Sequence, residues 1–203
     1  MRRSATHDIR SELARAASQT SMKSISDGVK EFLFAAEGAG VFAVLDGASV
    51  AGLREKLHQT KPESVCLYRG ELEPDMAEVA PYLVRLERDS EFTAWVLTEG
   101  WGNHWGIFVS TQAGLHAMRQ HFRRFLIVHD STGKPLYFRF YDPRVLRNYL
   151  PTCDREQLEQ MFGPAASYVA EADQPGVLLC FRLKSGALAV ERKDLAAGAE
   201  IRR

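Results

Sequence analysis

Four residues in this chain have the type and setting to do chemistry: Asp46, His104, Arg139 and Asp142. Asp46 closes the apolar run Val41-Phe42-Ala43-Val44-Leu45, and the end of a strand is where many α/β enzymes place a catalytic carboxylate. His104 stands between Trp101 and Trp105 in Gly100-Trp101-Gly102-Asn103-His104-Trp105-Gly106, and an imidazole can titrate near neutral pH. Arg139 and Arg144 flank Asp142, a spacing that could clamp a phosphate or carboxylate through paired N–H groups. Brought together, such a set could act on a phosphate ester. Each member also has a structural reading. Asp46 before Gly47 is an ordinary turn and N-cap residue, which is the favoured reading. His104 is best explained as hydrogen-bonded inside a tight aromatic turn, with Gly100, Gly102 and Gly106 supplying backbone freedom. Asp142 with its two arginines serves equally well as an ion pair bracing a strand–helix junction. No Ser or Cys nucleophile is signalled beside His104.

Standard catalytic signatures fail on inspection. Gly38-Ala39-Gly40 precedes its strand and so cannot be a dinucleotide loop between strand and helix. Gly47 to Gly52 has phosphate-loop spacing, but Leu53-Arg54 stands where Lys-Ser/Thr is required. There is no zinc-protease, nucleophile-elbow or kinase motif. His116 and His121 are five apart, the wrong spacing for two ligands on one helix face. Cys66, Cys153 and Cys180 are odd in number and widely spaced, which argues against a disulfide framework or zinc site. No catalytic residue, cofactor or metal is therefore expected.

Binding is better signalled than catalysis. From Phe92 to Thr152 the chain holds twelve of its twenty aromatics, with seven Lys/Arg against three acids. Aromatics and arginine are the residues enriched at interaction hot spots. The preceding stretch, Lys61 to Glu91, carries eight acids against four bases. Two surfaces of opposite sign would steer and select a partner. The candidate contacts are Arg119, Arg123, Tyr137, Arg139, Tyr141 and Arg144, with His104 in reserve. The whole chain has 26 basic and 26 acidic residues. That balance counts against nucleic-acid binding through Arg119, Arg123 and Arg124. No stretch approaches the roughly 18 apolar residues of a membrane-spanning helix, and no secretory signal is apparent. A soluble, cytoplasmic protein is expected.

The elements that must position these residues follow from periodicity. Short apolar runs predict strands at Val41–Asp46, Val65–Tyr68, Tyr82–Leu86, Trp105–Ser110, Ser167–Ala170 and Val177–Leu183. Leu126–His129 reads as the start of a further strand, overlapping the end of the preceding helix, before a turn at Asp130–Pro135. Leu136 to Tyr141 alternates, placing Leu136, Phe138 and Phe140 on one face and Tyr137, Arg139 and Tyr141 on the other. Helices are predicted after Val50, within Glu71–Ala80, after Ser90, and over Gln112–Leu126, where Leu115, Met118, Phe122 and Phe125 share a face. Asp142-Pro143 and Asp154 with Gln157 cap two more. The resulting class is α+β: a mixed β-sheet flanked by helices, with a small helical lobe near residues 143–162. Residues 1–36 read as a polar N-terminal extension, disordered or loosely helical around Ile9–Ala17. Residues 37–165 form the central domain, and 166–203 supply late strands and a mobile polar tail from Lys184.

At Gly100–Phe108 and Leu136–Thr152 the sequence resembles a known family. Gly-Trp-Gly-Asn-His-Trp-Gly-Ile-Phe, Arg-Arg-Phe-Leu, Pro-Leu-Tyr-Phe-Arg-Phe-Tyr-Asp-Pro-Arg-Val-Leu and Tyr-Leu-Pro-Thr occur in that order. Phe42–Ala48, Gly70-Glu71-Leu72 and Ala80–Val84 fit its first half. The chain is similar to the effector chaperones, or adaptors, of type VI secretion, known as domain of unknown function 4123. The resemblance spans about Val41 to Phe162. It implies a non-enzymatic cytoplasmic protein that holds a toxic effector and helps load it on the VgrG spike. The family motif does not say which surface grips the effector. Tyr137, Arg139 and Tyr141 are expected to offer an amphipathic groove for it.

Overall fold

The computed structural model describes residues 22–130 and 132–195. The helix expected around Ile9–Ala17 lies outside them. The first described residues form helix α1 (22–33). There follow β1 (Gly40–Asp46), α2 (Leu53–Thr60), β2 (Ser64–Cys66), α3 (Pro74–Val79), β3 (Pro81–Leu86), α4 (Glu91–Glu99), β4 (Gly106–Thr111) and α5 (Leu115–Phe122). The second half holds β5 (Ile127–His129), β6 (Pro135–Tyr137), α6 (Pro143–Tyr149), a 3-10 turn (Leu150–Thr152), α7 (Arg155–Phe162), β7 (Ala165–Glu171), β8 (Val177–Lys184) and β9 (Ala187–Asp194).

Seven strands make one sheet in the order β2-β3-β1-β4-β7-β8-β9, and neighbours run antiparallel at each pairing. Helices cover both faces, as the α+β class requires. β1 is central, so it is buried on both sides and reads as a continuous apolar run. Its alternation sorts the two cores. Phe42 and Val44 face α5, α6 and α7 through Met118, Phe122, Leu146, Leu158 and Phe162. Val41, Ala43 and Leu45 face α1, α2 and α4 through Val29, Leu33, Leu53, Phe92 and Val96. Asp46 shares the first face by its parity and Glu171, in register with Val169, shares the second.

Local signals set the helix ends. Ser90 accepts a hydrogen bond from Thr93 N–H at the start of α4. Asp142 caps α6 with Pro143 at its first position, and Asp154 with Gln157 completes a capping box on α7. Gly106 is required where β4 meets β1, because a Cβ there would lie 2.0 Å from the Val44 carbonyl oxygen.

Three elements differ from expectation. The helix expected to run to Leu126 stops at Phe122, because Arg124 and Phe125 N–H groups bond to His121 and Phe122 carbonyls in tight turns. The strand expected over Leu136–Tyr141 ends at Tyr137. Asp142 N–H bonds to Arg139 O at 2.9 Å, closing a turn that sends Phe140 and Tyr141 both inward. β9 lies in the stretch expected to be mobile, pairing with β8 from Ala187 to Asp194, because a polar edge strand reads like a tail. The N-terminal extension, expected to be partly disordered or helical, holds α1, which docks through Val29 and Leu33, both buried, with Leu195 packed on Gly28. Residues 143–162 are helical as expected, and they lie against the sheet as one of its two covering layers.

Candidate functional site

The four residues with catalytic potential divide between the two faces of the sheet. On one face Asp46 is buried at the end of β1. Its carboxylate accepts hydrogen bonds from Ala48 N–H (3.2 Å), Ser49 Oγ–H (2.9 Å) and the Arg139 guanidinium (2.5 Å). Arg139 also lies 3.7 Å from Asp142. Asp142, buried as well, accepts from Arg144 through its backbone N–H (2.9 Å) and through the guanidinium Nε–H and Nη2–H (3.0 and 2.7 Å). Burial alone would raise the Asp142 pKa, but the Arg144 hydrogen bonds and the charges of Arg144 and Arg139 outweigh it and hold the carboxyl below its usual range. Tyr141 packs beside this network and lines the same cavity as Tyr68. Burial first, and then the Asp46 charge, push its phenol well up, so it stays neutral.

His104 belongs to the other face. It sits at φ 57° in the turn before β4, where the neighbouring Gly102 is also left-handed. Its backbone N–H donates to Glu171 Oε1 at 2.9 Å, and its Nδ1 meets the same oxygen. Gly102 N–H donates to the other oxygen of Glu171. Trp95 and Trp105 pack with centroids 4.7 Å apart, and Trp101 stacks on Phe108. The buried Glu171 therefore organises a tight aromatic turn. Asp46, Arg139 and Asp142 come together; His104 is turned away from them and engaged elsewhere.

The binding candidates also separate. Arg123 is half-buried, and its guanidinium donates to the Cys66, Leu67 and Tyr68 carbonyls at 3.3, 2.9 and 2.5 Å. It pins the end of β2 and is consumed in doing so. Arg119 is half-buried beside it, with its Nε buried and unbonded among the described residues. Arg139 and Arg144 are about half exposed but paired to acids. Tyr141 is 3 % exposed, so it offers almost nothing to a partner, whereas Tyr137 is 72 % exposed. The acidic stretch is partly neutralised in place, since Glu78, Glu91 and Glu63 pair with Arg54, Lys56 and Arg85.

Tyr137 belongs to the β5–β6 hairpin, a two-stranded sheet separate from the seven-stranded one. Ile127 pairs with Tyr137 and Val128 with Leu136, so the hairpin is apolar on both faces, and all four side chains are exposed. Two adjoining cavities of about 240 and 390 Å³ share Tyr68, Leu126 and Tyr137. One reaches to Asp46 and Arg139, the other to Leu72, Met76 and Arg69. A third, of about 410 Å³, lies against Val128, Phe138, Tyr149 and Met161. Ile127, Val128 and Leu136 were missed as candidate contacts because an apolar run reads as a buried strand. The available signal was brevity: a three-residue pair around Asp130–Gly133 has few neighbours to bury it.

Among the described residues no group of three or more His, Cys, Asp or Glu side chains is placed to hold a metal ion, and no helix is long and apolar enough to cross a membrane. No curated protein and no solved structure matches the chain. Residues 41–160, which span β1 to most of α7 and contain Asp46, His104, Arg139, Asp142, Arg144 and the hairpin, match the profile of the family described as domain of unknown function (DUF4123), and the chain belongs to that family.

Proposed function

We propose that this protein is a cytoplasmic chaperone, or adaptor, that binds a cognate type VI secretion effector and promotes its loading onto the VgrG spike. The observation that carries the reading is the hairpin, with four large apolar side chains uncovered between grooves of 240 to 410 Å³. Exposed, contiguous apolar surface of this kind marks a site for a macromolecular partner. The resemblance of the ordered motifs to the effector chaperones is what directs the reading to a secreted toxin as that partner. The alternative, a phosphate-ester enzyme using Asp46, His104, Arg139 and Asp142, needs all four groups in one cleft. His104 is bonded to Glu171 on the opposite face, and no observation favours that alternative.

The test is co-expression of the full chain with the toxin encoded beside its gene. A stoichiometric complex that survives gel filtration, and that is captured by the spike protein only when this chain is present, is the expected outcome. Elution of the toxin entirely apart from this chain at concentrations above about micromolar, where a specific complex should persist, would overturn it.

A further inference from the structure

The hydrogen-bonding pattern of the hairpin is asymmetric. Phe138 N–H donates to Leu126 O and Asp130 N–H to Lys134 O, each at 3.0 Å. Leu126, Val128 and Asp130 therefore turn their backbone groups toward β6, and Ile127 and His129 turn theirs outward. The outer edge of β5 thus presents two N–H and two C=O groups at alternate positions. Neither outward N–H is bonded to a turn or loop carbonyl among the described residues. The outer edge of β6 presents Pro135 and Tyr137, and Pro135 has no N–H to give. Proline and charge are the usual protections of an exposed strand edge. β6 has the first, whereas β5 is exposed throughout and begins Ile-Val.

Charge narrows the occupant. Arg69 lines the cavity beside Ile127, and Arg124 lines the one beside Val128. Neither has an acidic partner among the described residues. Lys134 is exposed at the hairpin tip. Asp130, the acid of the hairpin, already accepts from Thr132 and Lys134 N–H groups. An apolar strand edge with unpaired arginines on both sides complements an extended segment that alternates apolar residues and carries acids.

We infer that the outer edge of β5 takes such a segment of the secreted partner as a third strand. Its backbone pairs with Ile127 and His129. Its alternate side chains enter the cavities beside Ile127 and Val128, and its acids meet Arg69 and Arg124. This rests on the chaperone reading and adds to it the docking edge and the chemistry of the docked segment.

The experiment uses the full chain and the toxin encoded beside its gene. His129→Pro removes one outward N–H and leaves the inward pairing intact. Arg69→Glu with Arg124→Glu reverses the free charges. Each variant should weaken the complex by about tenfold or more, an effect of hot-spot size, with an unchanged melting temperature. Hydrogen exchange at Ile127 and His129 should be fast in the free protein and slow in the complex. Wild-type affinity in both variants, or fast exchange at both amides in the complex, overturns the docking edge and leaves the chaperone reading standing. Scattering that shows a homodimer paired through β5 also overturns it, because a second copy then covers the edge. Absence of any complex with the unaltered chain overturns both.

Discussion

The charged end of the sheet gathers residues from Asp46 to Glu171, the β5–β6 hairpin is one short tract, and they have used the same kinds of residue to opposite ends. At the sheet end the charges are satisfied internally. Asp46 holds Arg139, Asp142 holds Arg144, and Glu171 holds His104 and the Gly102 backbone. In the hairpin, Ile127, Val128, Leu136 and Tyr137 are exposed, and nearby Arg69 and Arg124 have no acidic partner among the described residues. The difference teaches that arginine and aromatic density does not by itself locate an interface. An arginine whose donors are spent on carbonyls, as in Arg123, has little left for a partner, however often its type appears in hot spots.

The largest expected effect falls on the body of the protein. Phe140 is fully buried and touches Phe122, Phe125, Phe138 and Tyr141 in ring–ring contacts of 5.3 to 6.3 Å. Phe140→Ala should cost about 3–5 kcal/mol, read as a shift in the urea midpoint. A loss below about 1 kcal/mol would mean that the segment after the hairpin is as dispensable to folding as the hairpin itself, and the comparison would collapse.

Asp142→Ala comes next. It removes the α6 cap and strands Arg144, whose guanidinium is half exposed and can be rehydrated. The expected loss is about 2 kcal/mol, the cap accounting for roughly half. The pH dependence sharpens this. The folded carboxyl lies below its unfolded value, so the stability it contributes is complete above about pH 4 and is lost as pH falls through the folded pKa. The variant should lack that component of the acid arm. An acid arm that superimposes on wild type would show that the arginines do not act on Asp142.

Sequence made the local elements legible and left their long-range pairing and their exposure unread. Asp142-Pro143 and Asp154 with Gln157 announced their helices because caps are local chemistry. β1 was readable because a central strand is apolar on both faces. The pairing of Arg139 with Asp46 spans 93 residues, and periodicity carries no information on that. The same limit separated His104 from Asp46, since the partner that claims it, Glu171, is 67 residues away. β9 was misjudged for a related reason. Its polar composition describes an edge strand as well as it describes a mobile tail. Leu126–His129 was read as a strand, but whether its apolar residues are covered is a property of its neighbours.

The smallest expected effect is the one that tests the hairpin directly. Ile127 is half exposed, and its pairing partner Tyr137 is more exposed still. Ile127→Ser removes apolar surface that is largely in water already, so the free protein should change by no more than about 0.5 kcal/mol. A matched change in the sheet, Ile107→Ser, introduces a hydroxyl into a site with no exposure and should cost several-fold more, about 3 kcal/mol or above. If Ile127→Ser proved as costly as Ile107→Ser, the hairpin would be part of the core and its apolar faces would need no partner to explain them. If it left stability unchanged while abolishing toxin binding, folding and recognition would be assigned to different residues of the same short tract. The proposed chaperone role needs that separation, because a surface that its own fold does not use is free to be covered by another chain.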